Sequence, residues 1–152
     1  MTNPGDRTDN LDAAQAKELG IWTAHNRMPN GEYRFRLRCA DGTAYIRTVA
    51  TERSGWQKSH FHRGVRETYI LQKGRLALAE WVENRLQIRV FSQDEIVTTQ
   101  PNVPHNVYMF PNAITHTVKH GEDGSIEDWI AYPELDVLTI HLAESEILRL
   151  AK

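Results

Sequence analysis

The stretch GWQKSHFHRGVRETYILQKG, residues 55–74, places two histidines one residue apart, a glutamate five positions after the second, and a glycine at its end. Because the side chains of a β-strand alternate between its two faces, His60 and His62 project to the same side if this segment is extended. Glu67 opens the next strand-like run, and it lies across from the histidines if the two strands pair. Two imidazoles and a carboxylate at one point suit a divalent metal such as Fe, Mn, Ni, Cu or Zn.

A fourth candidate ligand follows in TQPNVPHNVYMF, residues 99–110. Pro101 and Pro104 stiffen the approach to His105, and Asn102 can adopt the turn conformation that most residues avoid. His105 then begins an alternating run of strand type. A histidine placed at the mouth of a strand by a rigid turn suits a ligand delivered from a distant part of the chain.

Short strand-like runs surround both motifs, separated by turn residues. The runs are 32–50 with a hairpin turn at Asp41-Gly42, and 67–72, 75–82, 86–92, 95–99, 105–110, 113–120 and 135–142. Many short strands at this spacing predict an all-β sandwich or barrel. Residues 11–20 and 144–152 have helical composition, with Asp9 or Asn10 as the cap of the first helix. We therefore expect a flexible tail over 1–9 and a single barrel domain over 10–152, with short helices at its two ends.

The strand before the Asp41-Gly42 turn alternates apolar residues with three arginines, Arg34, Arg36 and Arg38, which we call the arginine row. We expect the arginine row to face solvent, and an anionic partner is the alternative. Residues 125–136, SIEDWIAYPELD, fit a flap over the barrel mouth, a dimer contact or a plain loop.

The composition of the chain argues against a nucleic-acid-binding, disulfide-bonded or membrane-spanning protein. The chain has 152 residues, 40% of them hydrophobic, and a formal net charge of −2, which offers no general attraction to nucleic acid. Cys39 is the single cysteine, so an intramolecular disulfide is impossible. The first residues lack an apolar segment of signal-peptide type, and no run approaches the roughly 18 apolar residues of a membrane span. We therefore expect a cytoplasmic protein with no membrane or nucleic-acid partner.

The stretch 55–74 resembles the first motif of the cupins, G-x5-H-x-H-x3,4-E-x6-G. The match is carried by Gly55, His60, His62, Glu67 and Gly74, with one residue fewer between the first glycine and the first histidine. The second cupin motif, G-x5-P-x-G-x2-H-x3-N, is matched at its histidine by His105. Its other positions differ, with Asp94, Gln100, Asn102 and Met109 in place of Gly, Pro, Gly and Asn. These departures change turn residues more than they change metal ligation.

Cupins are small antiparallel β-barrels of jelly-roll type and are commonly dimeric. The resemblance therefore implies an all-β, antiparallel jelly-roll barrel that forms a homodimer. It also implies one divalent metal ion inside the barrel, with His60, His62, Glu67 and His105 as its ligands. Four protein ligands on a six-coordinate ion leave two positions for water, substrate or oxygen.

Four further residues are candidates for contact with a substrate. Tyr69 shares the strand parity of Glu67, and His116 is a candidate acid-base residue, so both are assigned provisional catalytic roles. Lys58 shares the parity of His60, and Arg47, on a plausible neighbouring strand, could bind a carboxylate or phosphate bidentately. For each of these residues the alternative is a place in the core or rim of the barrel with no substrate contact.

Two classes of function remain open at this point. The first is a metal-dependent enzyme acting on a small polar metabolite, either a sugar isomerase or epimerase or a dioxygen-dependent cleaving enzyme. The second is a non-catalytic module that binds a metal or a small ligand. A closed ligand shell would favour the second class, because structural sites fill their coordination sphere whereas catalytic sites keep a vacancy.

Overall fold

The computed structural model describes residues 11–53, 55–121 and 128–152. The predicted tail 1–9, and the part of 125–136 that precedes Asp128, lie outside these ranges. Within them the chain forms twelve strands and three helices. The helices are α1 (Ala13–Glu18), α2 (Pro133–Thr139) and α3 (Glu144–Leu150). The strands are β1 (Ile21–Arg27), β2 (Tyr33–Cys39), β3 (Ala44–Val49), β4 (Gly55–Trp56), β5 (His60–Phe61), β6 (Val65–Lys73), β7 (Arg75–Val82), β8 (Arg85–Ser92), β9 (Ile96–Thr98), β10 (His105–Met109), β11 (Ile114–Gly121) and β12 (Ile130–Ala131).

The strands form two antiparallel sheets that face each other as a jelly-roll, which confirms the predicted fold class. The first sheet has the order β1-β2-β3-β11-β6-β9, and the second has the order β12-β5-β10-β7-β8 with β4 also paired to β10. Side chains from both sheets meet in the main core, where Leu71 and Val97 of the first sheet join Leu78, Val107 and Met109 of the second. The barrel interior therefore lies between the two sheets.

Strand β7 is buried on both faces. Its sequence RLALAEWV is nearly continuously apolar, as expected of a strand covered on both sides. Leu76 and Leu78 point into the main core, whereas Ala77 and Ala79 belong to a second cluster that includes Ile147 of α3. The C-terminal helix thus covers the outer face of the second sheet, and the second sheet is held firmly from both sides.

Turn chemistry places the strands as the sequence predicts. Gly42 has a φ of 88° in the turn between β2 and β3, and the backbone N–H of Thr43 donates to the Asp41 side chain at 2.9 Å. Glu83 and Asn84 both have positive φ between β7 and β8, which is the conformation that a two-residue hairpin turn requires. Asn102 has a φ of 62° on the approach to β10, as expected from its position between two prolines.

Three local predictions differ from the structure. Residues 135–142 do not form a strand. Helix α2 begins at Pro133 instead, and it buries Leu135 and Thr139, which lie one helical turn apart. Strand β1 was not predicted, although its seven residues pair along their full length with β2. Helix α1 is capped by Asp12 rather than by Asp9 or Asn10, and the Asp12 side chain accepts from the backbone N–H of Gln15 at 2.8 Å.

No helix in the described part of the chain is long and apolar enough to cross a membrane.

Candidate metal centre

The four predicted ligands converge on one point in the barrel interior. The ligand atoms of His60, His62, Glu67 and His105 all lie within 4.8 Å of one another, and all four residues are buried. The Glu67 carboxylate is central: its oxygens are 3.6 Å from Nε2 of His60, 3.3 Å from Nε2 of His62 and 3.1 Å from Nε2 of His105. These residues form a buried group able to bind one metal ion.

The ligands come from both sheets, which differs from the predicted arrangement. The sequence suggested that the strand of the two histidines pairs with the strand of Glu67. Instead β5 pairs with β10 and β12, and β6 pairs with β11 and β9 in the opposite sheet. His60 and His105 are register partners in the second sheet, and Glu67 reaches them across the barrel interior. The metal group therefore bridges the two layers of the fold.

The three imidazoles are oriented by backbone carbonyl groups. Each Nδ1 atom contacts a carbonyl oxygen, and for His60, His62 and His105 these belong to Lys58, Asp128 and Val103 respectively. An Nδ1–H that donates to a carbonyl leaves the Nε2 lone pair free, which is the tautomer that metal-binding histidines use. All three Nε2 atoms point at the same small volume. The backbone around the site thus prepares three nitrogen ligands.

The residues present fit a divalent metal. Among the described residues, Nε2 of His60 and Nε2 of His62 are buried side-chain nitrogens that have no hydrogen-bond partner. A buried polar atom without a partner costs about 1–3 kcal/mol, so two such atoms side by side require an explanation. A cation coordinated by both nitrogens provides one. Three imidazole nitrogens and one carboxylate oxygen are a donor set that Mn, Fe, Ni, Cu and Zn accept.

Ionisation of Glu67 is secured by its surroundings. Burial alone would raise the pKa of the Glu67 carboxyl, but its contacts with the three imidazoles and the charge of Lys119 hold that pKa well below its usual range. Lys119 Nζ lies 3.3 Å from Oε1 of Glu67. Burial also lowers the pKa of His60, which favours the neutral imidazole that coordinates metals. The group therefore carries one anionic ligand, the Glu67 carboxylate, together with the neutral imidazole of His60.

Tyr69 lies directly behind the Glu67 carboxylate. Its hydroxyl donates to Oε2 of Glu67 at 2.8 Å, and the residue is only 5% exposed. Burial, and next the neighbouring carboxylate charge, raise the pKa of the Tyr69 phenol well above its usual value, so the hydroxyl keeps its proton. Tyr69 is therefore a fixed hydrogen-bond donor that orients Glu67.

The metal group opens on one side into a cavity of about 500 Å³. His60, Glu67 and Tyr69 form part of its lining. Its other walls carry two kinds of side chain. The apolar ones include Met28, Ile46, Trp56, Trp129 and Ile140, and the cationic ones are Arg34, Arg36, Arg38, Lys58 and Lys119. A cavity of this size can hold a small metabolite beside the metal group.

The arginine row faces the cavity, so its predicted solvent-facing orientation is wrong. Arg34 is paired in register with Thr48 of β3, and Arg36 with Ile46, and these neighbours also line the cavity. The general rule that charged residues face outward fails here, because this half of the barrel encloses an open cavity rather than a packed core. Phe35 and the other apolar residues of β2 lie on the opposite, outer face.

The structure brings two of the four additional candidates to the cavity and leaves two outside it. Tyr69 and Lys58 line the cavity, although the Lys58 side chain is exposed. Arg47 and His116 are register partners on the outer face of the first sheet, where Arg47 is exposed. Their strands direct the alternate residues inward, and for β11 these are Thr117 and Lys119. Arg47 and His116 therefore do not meet the metal group, because strand parity points them away from it.

Asp128 and Trp129 are site residues that the sequence did not single out individually. The Asp128 carboxylate accepts hydrogen bonds from the backbone N–H groups of Arg63, Gly64 and Val65 at 2.7, 2.9 and 3.0 Å. The Trp129 ring stacks on the His60 ring, with centroids 5.1 Å apart and planes 25° apart. The signal in the sequence was an aromatic residue beside a carboxylate in 125–136, and its place at the site depends on tertiary contacts.

Comparison with known proteins identifies the fold. No model of a known protein family matches the sequence, and no curated protein matches it. Solved structures do match: a tryptophan-to-phenylalanine variant of oxalate decarboxylase from Bacillus subtilis superposes with a TM-score of 0.60 and 15% identity. Oxalate decarboxylase is a cupin-fold protein. This chain has the cupin fold. The resemblance drawn from the two sequence motifs is thereby confirmed.

Other matches agree with this cupin assignment. Oxalate decarboxylase from Lactobacillus farciminis, in a formate complex, superposes with a TM-score of 0.58 and 13% identity. A further Bacillus subtilis oxalate decarboxylase structure, which was used to study its Mn(II) centres, has a TM-score of 0.59 and 15% identity. Each alignment covers 84% of this chain and 37% or 38% of the other. The chain thus spans less than two fifths of these proteins, and at such identities the likeness concerns the fold alone.

Proposed function

We propose that this cupin chain is a metal-dependent enzyme that acts on a small polar metabolite. One observation carries the proposal: His60 and Glu67, two members of the buried ligand group, also line a cavity of about 500 Å³. A structural metal site closes its coordination sphere with protein ligands, whereas a catalytic site keeps a side open to substrate. A non-catalytic module with a purely structural metal explains the ligand group but leaves the adjoining cavity without a role.

The roles of the residues follow from their contacts. His60, His62, Glu67 and His105 would hold the ion, and a divalent metal bound there would supply a Lewis acid and, if it is redox-active, electron transfer. Tyr69 keeps Glu67 oriented, because its hydroxyl donates a hydrogen bond of 2.8 Å to the Glu67 carboxylate. The Trp129 ring stacks on His60, and Trp129 and Tyr69 both line the cavity beside the ligand group.

Of the two reactions considered, we favour the dioxygen-dependent one over isomerisation. An isomerase or epimerase needs a side chain that removes a proton from carbon. Among the described residues of the cavity lining, Glu67 is the single carboxylate and His60 the single imidazole, and both belong to the ligand group. Tyr69 is held in its protonated form, Lys119 is ion-paired with Glu67, the Lys58 side chain is exposed, and His116 lies on the outer face. A reaction in which the protein need not deprotonate the substrate agrees better with this lining.

The proposal is tested in two steps with purified protein. First, Mn(II)-loaded protein is examined by water-proton relaxation, and we expect the enhancement that rapidly exchanging water on an open metal produces. Relaxation no greater than that of a fully coordinated ion would contradict an enzyme and favour the non-catalytic module. Second, Fe(II)-loaded protein is screened with sugars, keto acids and other carboxylates in an oxygen electrode. Conversion of any of these without dioxygen uptake would contradict the choice of reaction.

The expected homodimer, the small-molecule substrate and the cytoplasmic location stay predictions. Sedimentation equilibrium of the metal-loaded protein tests the first of these. The native metal also remains to be chosen from Fe, Mn, Ni, Zn and Cu, and elemental analysis of protein purified without added metal tests it directly.

A further inference from the structure

The cavity carries more positive charge on its lining than nearby carboxylates neutralise. Five cationic side chains line it, namely Arg34, Arg36, Arg38, Lys58 and Lys119. Two of the five have carboxylate partners. Arg34 forms an ion pair of 2.6 Å with Glu32, which is itself only 3% exposed, and Lys119 lies 3.3 Å from Glu67.

None of the other three cations forms a close ion pair with a carboxylate within the described residues, and the charge of Glu32 acts on Arg36 only from a longer distance. Arg36 donates to neutral groups, the Asn26 side-chain oxygen at 2.7 Å and the Met28 sulfur at 3.8 Å. Burial, followed by repulsion from Arg34 and Arg38, lowers the pKa of the Arg36 guanidinium. A guanidinium has five N–H donors, so Arg36 keeps further donors for a ligand. Charges of one sign that are gathered in a partly enclosed space favour the binding of an anion.

We infer that the arginine row binds the carboxylate of an organic acid that has an apolar or aromatic body, and that this acid is the substrate class of the metal group. The inference rests on the proposed function, because it takes the cavity beside the ligands as the substrate site. Alternate residues of a strand lie about 7 Å apart, so the long side chains of Arg36 and Arg38 can converge on one carboxylate. Guanidinium groups match that anion in bidentate geometry.

The remaining lining specifies the body of the ligand. Trp56, Trp129, Ile46 and Ile140 supply apolar and aromatic surface in the same cavity. Inorganic anions would use the arginines but would leave this surface in contact with water. An acid with a hydrophobic body satisfies both the cationic and the apolar part of this lining, which also includes His60 and Glu67.

Isothermal titration calorimetry of the Mn(II)-loaded protein tests the inference with named probes. The probes are benzoate, phenylacetate and 3-phenylpropanoate, each compared with its neutral amide, and inorganic phosphate as an anion without an apolar body. We expect at least one carboxylate to bind about ten times more tightly than both its amide and phosphate. Arg36→Gln and Arg38→Gln should each weaken that binding about 10- to 100-fold, since each removes a charged hydrogen bond. Arg36→Lys, which keeps the charge, should recover part of the loss, and Arg47→Gln on the outer face should change nothing.

Each outcome has a stated meaning. Binding that is equal for acid and amide, equal for phosphate, or unchanged in both glutamine variants would overturn the inference. Metal content and the midpoint of thermal unfolding are measured for every variant, so that a folding defect is recognised and the lysine variant is then decisive. Wild-type protein that retains metal but prefers no carboxylate refutes the anion site and leaves the proposed function intact. Wild-type protein that retains no metal refutes the proposed function, and the arginine variants then test the anion site in the metal-free form.

Discussion

His60 and His105 face each other as register partners of neighbouring strands, with their ring centroids 4.5 Å apart. Strand β10 pairs with β5 on one side and with β7 on the other, and β7 is buried on both of its faces. The distance between these two ligands is therefore set by backbone hydrogen bonds rather than by flexible loops. A site built on paired strands is rigid before a metal arrives.

Replacing either of these histidines should remove the metal without unfolding the barrel. His60→Ala or His105→Ala deletes one nitrogen ligand while the backbone pairing of β5 and β10 stays available. We expect metal affinity to fall by more than about 100-fold, beyond the 10- to 100-fold effect typical of residues that only support a ligand. Elemental analysis after dialysis measures the effect, with His116→Ala on the outer face as the control. Full metal occupancy in either variant would show that the group does not bind the ion as described.

The carboxylate should matter for a different reason. Glu67→Gln keeps the size of the side chain but removes the single anionic ligand and leaves Lys119 without its partner. We expect metal to be retained more weakly, with transfer to a chelator at concentrations that leave the wild type loaded. The exposed Glu95→Gln is the matched control. Unchanged retention in Glu67→Gln would reduce Glu67 to a structural residue.

Tyr69 should affect the metal without contacting it. Tyr69→Phe removes the hydroxyl that donates to Oε2 of Glu67 and retains the aromatic ring in the core. We expect metal affinity to fall about 10- to 100-fold, as for other residues that orient a ligand. The free energy of unfolding of the metal-free protein should fall by about 1 kcal/mol, because one hydrogen bond is lost. Competition with a chelator and urea denaturation separate the two effects. Tyr45→Phe, whose hydroxyl contacts His116 instead, should leave metal affinity alone. Equal affinities of Tyr69→Phe and wild type would contradict an orienting role.

The metal ligands were predictable from the sequence because their spacing reports a local constraint. In an extended segment, His60 and His62 must share a face, and two prolines and Asn102 fix the entry to the strand of His105. The pairing of strands was less accessible: nothing in the segment 60–67 states that His60 pairs with β10 while Glu67 belongs to the opposite sheet. Convergence across the barrel depends on long-range topology, which the cupin motifs supply only as a pattern of residues.

Orientation was predicted least well where polarity and burial disagree. Alternation in β2 separates the arginine row from Phe35, but alternation alone does not decide which set faces inward. Arginines line the interior here because it holds a cavity rather than a packed core, and because Glu32 provides a buried counter-charge for Arg34. Helix α2 was mistaken for a strand for a related reason. Val137 in this helix and Ile140 directly after it are 70% and 71% exposed, so hydrophobicity did not report burial.

Gly74, the last residue of the first cupin motif, should resist substitution. Its φ is 77°, and a Cβ added there would lie 2.9 Å from the backbone Cα of Ala113. Gly74→Ala therefore combines left-handed backbone strain with a clash against main-chain atoms. The strain alone costs about 1–3 kcal/mol of unfolding free energy, and we expect the clash to add to this loss. Gly31→Ala separates the two causes. It has a φ of 88° but meets only the Thr51 side-chain oxygen, at 3.4 Å. Chemical denaturation should show the larger loss for Gly74→Ala, and equal losses would rule out the clash as a cause.

Asp128 should stabilise the segment between two of the metal ligands in a pH-dependent manner. Its carboxylate accepts from three successive backbone N–H groups, at Arg63, Gly64 and Val65, which lie between His62 and Glu67. Burial is the largest single effect and opposes ionisation, but the three hydrogen bonds together lower the pKa of Asp128 below its ordinary value of 3.8. A group whose pKa is lower in the folded state adds stability above its unfolded pKa and loses that contribution as the pH falls through the folded one.

Asp128→Ala should therefore cost about 1–3 kcal/mol of unfolding free energy at pH 7, because three backbone donors lose their charged acceptor. The difference from wild type should begin to shrink as the pH falls below about 4, where the unfolded chain takes up the proton first, and the charge contribution is lost once the pH falls through the lower folded pKa. Urea denaturation of chelator-treated protein at pH 7, 5 and 3 measures this difference without a contribution from metal binding. Asp128→Asn keeps one acceptor oxygen but no charge, so its unfolding free energy at pH 7 should lie between those of wild type and Asp128→Ala. A difference that is constant from pH 7 to pH 3 would mean that packing of the 128–131 segment, rather than the carboxylate charge, holds the loop between the ligands in place.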